Sequence, residues 1–133
     1  MNQEDRQLLL KDLCARQPWG VKVQYNNKVY AIDYISAEYK EVKLDILDNY
    51  TVGISDIKPY LRPLSSMTEE EKKEFYDFCV IDEFAWAGNS EIGYRNQAII
   101  MSDGIDYLNS IYVDYRGLIS KGLALEALKG MYD

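Results

Sequence analysis

The chain has 133 residues, of which 47% are apolar and 28% charged, a balance that predicts a globular domain rather than a disordered chain. It has no histidine, so the commonest general base, the commonest metal ligand and every Ser-His or Cys-His catalytic pair are absent. The formal net charge of −7 disfavours direct binding to duplex DNA, and no apolar run is long enough for a membrane span.

Residues 3–16 read as a helix, with Asn2 as cap and Asp5 three residues on. Leu9, Leu10, Leu13 and Cys14 form its apolar stripe, and Pro18 and Gly20 end it. A β-hairpin follows. Val21, Val23 and Tyr25 alternate with polar residues up to Asn26-Asn27, whose tolerance of positive φ suits a two-residue turn. That turn pairs Tyr25 with Lys28, Val23 with Tyr30 and Val21 with Ile32, and places Tyr34 on the same inner face. A third strand is expected over Glu41–Leu47, with Val42, Leu44 and Ile46 on one side. After a turn at Asp48-Asn49, Tyr50, Val52 and Ile54 alternate in a fourth strand. Several short antiparallel strands over about 21–57 suggest a small sheet or an SH3-like barrel.

Residues 57–64 carry Pro59 and Pro63, which push Lys58 and Arg62 into extended conformations, and the stretch reads as a stiff connector. Thr68 to Glu71 is a capping box that opens a helix running to about Ile81, with Phe75, Phe78 and Cys79 as its buried stripe. Residues 86–90 read as a loop, and 98–101 as an apolar run of either strand or helix. Asp103 is expected to cap a helix bearing Ile105, Leu108 and Tyr112. A turn at 114–117, a short helix at 118–121 and an apolar piece at 123–128 complete the chain. The reading is one α+β domain over 1–133: a helix, a β-rich part at about 21–57, and a mainly helical part at about 68–128.

Charge is unevenly placed. Residues 1–67 hold nine acids and nine bases, whereas 68–91 hold eight acids against Lys72 and Lys73. A solvated helix face explains this stretch; a surface for a basic partner, or a nucleic-acid mimic, is the sharper alternative. The acids at 69–74 could in principle hold a divalent ion, but the helix dipole and solvation already explain them; Asp82-Glu83 beside Trp86 is somewhat more suggestive, and no metal or cofactor is expected. Cys14 and Cys79 stand 65 residues apart on apolar stripes, which predicts buried, reduced thiols and a cytoplasmic setting.

Twelve tyrosines are the outstanding compositional feature; they fill a small core or build an interface. Candidate binding residues are Lys58, Tyr60 and Arg62 in the proline-fixed segment, and Tyr115 and Arg116 in the glycine-flanked turn. In an acidic protein, arginines on stiff backbone suit bidentate contacts, either internal or to an anionic ligand such as a nucleotide. A protein partner for a non-catalytic adaptor is the reading that fits best. An enzyme is not expected, although a hydrolase using carboxylates alone stays open.

Three segments together resemble short uncharacterised proteins of gut Bacteroidetes and of their phages and mobile elements. They are Leu13-Cys14-Ala15-Arg16 with Pro18-Trp19-Gly20-Val21, the run from Ile57 to Thr68, and Asp114-Tyr115-Arg116-Gly117-Leu118-Ile119 with Lys121-Gly122-Leu123-Ala124. Trp19 stands where that set suggests tyrosine. The resemblance implies a bacterial or phage cytoplasmic setting and carries no activity or site.

Overall fold

The computed structural model describes residues 1–47, 49–79 and 91–133, with side chains described throughout except at 79 and 91–100. Helix α1 spans Gln3–Arg16, and the Asn2 carboxamide accepts from the Asp5 amide at 2.7 Å, as the cap requires. Its inward face is Leu9, Asp12, Leu13 and Arg16, an i, i+3, i+4, i+7 set. Cys14 lies outside that set and is exposed, which corrects the expected stripe. A short 3₁₀ turn over Gln17–Trp19 follows, and Gly20 takes φ 75°, a left-handed conformation open to glycine without steric cost.

Strands β1 (Lys22–Tyr25) and β2 (Lys28–Ser36) form the expected hairpin, with Val23 opposite Tyr30 and Tyr25 opposite Lys28. Asn26 and Asn27 sit at φ 49° and 62°, the paired positive values of a type I′ turn. Strand β3 (Glu41–Leu44) is shorter than expected and pairs with β2 across a register shift between Ile32 and Tyr34. The extra residue there, Asp33, inverts the alternation. Ile35 joins the inner face opposite Val42, and Tyr34, expected inside, is 55% exposed. Ile46 lies beyond β3 and is exposed, so its place in the alternation is also corrected. Of the expected turn at 48–49, Asp48 falls outside the described residues, while Asn49 has φ 73°. Strand β4 keeps only Val52–Gly53, and Ile54 is buried in a following 3₁₀ turn.

The supposed connector is a strand. β5 (Lys58–Leu61) pairs antiparallel with β1, Val23 opposite Pro59 and Gln24 opposite Lys58. β6 (Leu125–Glu126) then pairs parallel with β5, Tyr60 opposite Leu125. The sheet order is β4-β3-β2-β1-β5-β6. Among the described residues this sheet is mixed and open, with β4 and β6 as edges, so it is not the closed SH3-like barrel.

Helix α2 (Glu69–Cys79) begins at the Thr68 capping box: the Glu71 amide donates to Thr68 Oγ1 at 3.1 Å, and the Thr68 amide donates to Glu71 Oε1 at 2.9 Å. Phe78 is more exposed than the expected stripe allows, and the Cys79 side chain is outside the described residues, as are the loop at 86–90 and the Asp82-Glu83-Trp86 group. Helix α3 (Glu91–Ser110) takes in both the 98–101 run and the expected cap Asp103, which is therefore mid-helix. Leu108 is buried as expected, whereas Ile105 is exposed. After α3 the chain is turns and β6 rather than helix, so the region to 128 is less helical than its sequence suggests.

The core lies between α1 and the inner sheet face. It gathers Leu9 and Leu13, Val21 and Val23, Val42 and Leu44, Ile57 and Leu61, and closes with Leu118 and Leu123 from the C-terminal segment. No helix among the described residues is long and apolar enough to cross a membrane.

Candidate functional site

Of the five candidate residues, Arg62 belongs to one cluster, Tyr115 and Arg116 to a second, and Lys58 and Tyr60 lie on β5. Arg62 follows β5 and pairs its backbone with the segment after α3. Its amide donates to the Tyr112 carbonyl at 2.7 Å, and the Asp114 amide donates to the Arg62 carbonyl at 2.8 Å. The guanidinium then forks onto Glu71: Nη1 to Oε2 and Nη2 to Oε1, both 2.7 Å. Nη2 also reaches the Ser66 carbonyl at 3.0 Å, and Nη1 the Ile111 carbonyl at 3.3 Å. Glu71 thus ends in a capping box and a bidentate ion pair together. The Arg62 guanidinium holds its carboxyl well below the usual carboxylate range, at about 2, with burial opposing and the Thr68 amide assisting. The Arg62 pKa is raised, with the Glu71 hydrogen bond the largest cause.

Arg116 belongs to a second, deeper cluster. Its Nη1 donates to Asp12 Oδ1 at 2.8 Å, and Arg16 Nε donates to Asp12 Oδ2 at 2.9 Å. The side chains of Asp12 and Arg16 are fully buried. Arg16 Nη2 donates to the Val113 carbonyl at 2.8 Å. Tyr115 packs against both cations, its ring centroid 5.3 Å from the Arg16 guanidinium carbon and 4.7 Å from that of Arg116. Its hydroxyl donates to buried Asn109 at 2.9 Å. Asp114 is also buried, and its carboxylate accepts from the Leu118 and Ile119 amides at 2.9 Å each. The result is a polar centre that joins α1 to the C-terminal segment across about 100 residues of sequence.

Tyr60 is buried and Lys58 is exposed on β5. The β1–β5 register sets Lys22 opposite Tyr60, and a third side chain bridges that pair. The Tyr132 hydroxyl accepts from the Lys22 amide at 3.0 Å and donates to the Tyr60 carbonyl at 2.7 Å. The Tyr132 ring stacks on Tyr112 with centroids 3.7 Å apart, and Lys22 Nζ donates to the Met131 carbonyl at 3.0 Å. Burial pushes the Tyr132 phenol up to about 12. The Tyr112 hydroxyl donates in turn to the Trp19 carbonyl.

Four of the five candidates, Tyr60, Arg62, Tyr115 and Arg116, are therefore bonded within the protein, and Lys58 alone of the five is freely exposed. Asp12, Arg16 and Tyr132 were not legible as their partners. An i, i+4 Asp-Arg pair on a helix reads as solvated surface, and nothing local marks Tyr132. The described residues hold no group of three or more acids and cysteines placed to bind a metal ion.

The exposed aromatics lie elsewhere. Tyr34 and Tyr50 face one concavity of about 410 Å³ on the outer side of β2–β4, together with Lys43, Asn49 and Thr51. Asp33 and Lys43 form an ion pair at 3.5 Å at its edge. Tyr39, in the β2–β3 connection, is 70% exposed. The fold is that of an α+β protein with an open mixed sheet. No family model, no curated protein and no solved structure matches this chain.

Proposed function

We propose that this is a non-catalytic adaptor of the bacterial cytoplasm, of phage or mobile-element origin, that binds another protein through the outer face of β2–β4. The observation that carries the reading is the pair Tyr34 and Tyr50, both at least half exposed across one concavity. Tyrosine offers large, amphipathic contact area at low conformational cost, which is why it is enriched in protein interfaces. The Asp33–Lys43 pair supplies the polar rim such interfaces carry. The candidate arginines support this reading as scaffold, since their contacts are internal.

The test is affinity capture from a Bacteroides lysate with the immobilised protein and with a Tyr34→Ser/Tyr50→Ser double variant, followed by mass spectrometry. A specific protein should be retained by the parent and reduced about tenfold or more on the variant, at unchanged melting temperature. Equal retention by both forms rejects this face as the interface.

A further inference from the structure

A second surface has different chemistry. Where α3 packs on α2, two adjoining concavities of about 270 and 300 Å³ share Phe78 and Tyr107. Trp19 adds a third ring to the first concavity. The rims carry four carboxylates from two helices: Glu74 and Asp77 of α2, Asp103 and Asp106 of α3. Among the described residues, no lysine or arginine lines either concavity. Phe78 and Tyr107 lie with centroids 5.4 Å apart, and the Tyr107 hydroxyl donates to Glu74 Oε2 at 2.6 Å, which fixes the shared wall.

Ring faces and carboxylates attract the same kind of guest. A cation gains from the quadrupole of each ring and from each acid, whereas a phosphate or carboxylate ligand is repelled by all four. We infer that the α2–α3 groove docks an arginine side chain presented by a basic segment of a protein partner. Arginine suits it better than lysine. Its planar, weakly hydrated guanidinium lies flat on an aromatic face while its edge forks onto a carboxylate, and an ammonium offers only a point charge. The acidic excess of residues 68–91, eight acids against two lysines, supplies the long-range attraction that brings such a segment to the groove. This site is distinct from the β2–β4 face and stands or falls separately from it.

The experiment is a ¹⁵N-edited NMR titration of the whole chain with acetyl-Gly-Gly-Arg-Gly-Gly-amide, and with its lysine and citrulline counterparts. Saturable shifts are expected at the Trp19 indole N–H and at the amides around Phe78 and Tyr107. The neutral citrulline peptide should bind at least about tenfold more weakly, and lysine should fall between. Phe78→Leu, which keeps an apolar side chain but removes the ring, and Asp103→Asn/Asp106→Asn, both at exposed helical positions, should each weaken the arginine peptide about three- to tenfold. Tyr34→Ser should leave that affinity unchanged. Two outcomes overturn the proposal. One is the absence of saturable shifts at Trp19. The other is equal binding of arginine and lysine that is lost in the Asn variant yet untouched by Phe78→Leu, the mark of a diffuse acidic field such as a nucleic-acid mimic presents.

Discussion

Arg62 and Arg116 both tie the segment after α3 to distant parts of the chain, yet they work in different media. Arg62 meets Glu71 nine residues away, where both side chains keep about a fifth to a quarter of their surface in solvent. Arg116 meets Asp12 at a sequence separation of 104, and that aspartate is fully buried beneath Arg16 as well. The first is a clasp near the surface, strong because it is bidentate and shared with a helix cap. The second is a desolvated centre in which one carboxylate answers two guanidinium groups. The difference shows that geometry alone does not rank polar contacts: burial decides what is lost when a partner is removed.

The largest effect should follow from Asp12→Ala, which leaves Arg16 and Arg116 facing each other without their carboxylate. Loss of one partner from a buried pair costs about 3–5 kcal/mol. Urea unfolding measures it, and a change near that of an ordinary surface substitution would break the comparison. Arg62→Ala comes next, at about 1.5–3 kcal/mol for charged hydrogen bonds that remain partly hydrated. Should it equal or exceed Asp12→Ala, burial is not the deciding variable.

The Arg62 clasp also has a pH signature. The folded-state pKa of Glu71 is depressed to about 2, below its ordinary value of 4.5. Its contribution is therefore complete above about pH 4.5 and fades as pH falls toward 2. Glu71→Gln should flatten that part of the stability profile, read from urea midpoints between pH 6 and 2. Tyr132→Phe, which keeps the stack on Tyr112 but removes the hydroxyl between Lys22 and Tyr60, should cost about 1–2 kcal/mol by thermal or urea unfolding. The smallest effect belongs to Cys14→Ser: the thiol is exposed on α1, so stability should move by less than about 0.5 kcal/mol.

What the sequence made legible was local. The Asn26-Asn27 hairpin and the Thr68–Glu71 box are written in residues a few positions apart, and both stand in the structure. What it concealed depended on distant partners. Pro59 made β5 look like a connector, because proline lacks an amide for a ladder. Yet Pro59 faces Val23, and hydrogen bonding across β1 and β5 falls to the pairs beside it, where the Tyr132 hydroxyl completes one of them. Nothing in the sequence marks Asp12 and Arg16 as buried, because charge is usually solvated; their partners Val113 and Arg116 lie far along the chain. β6 pairs only two residues, too short a run for any alternation to show. The α2–α3 groove escaped for a related reason. Its acids are spread over two helices, and the sequence shows each as an ordinary polar face.

The single extra residue at the β2 bulge behaves like a frameshift in space. Upstream of Asp33, the inner face is Tyr30 and Ile32; downstream it is Ile35, with Tyr34 turned out toward Lys43 and Tyr50. Deleting Asp33 would not merely shorten the strand. It would remove the bulge and set Tyr34 directly after Ile32, with Tyr34 still outward opposite Lys43 and Ile35 still inward opposite Val42. The exposed tyrosine pair therefore depends on Asp33 being looped out of the ladder: a strand that kept Asp33 in regular pairing would turn Tyr34 inward and Ile35 outward.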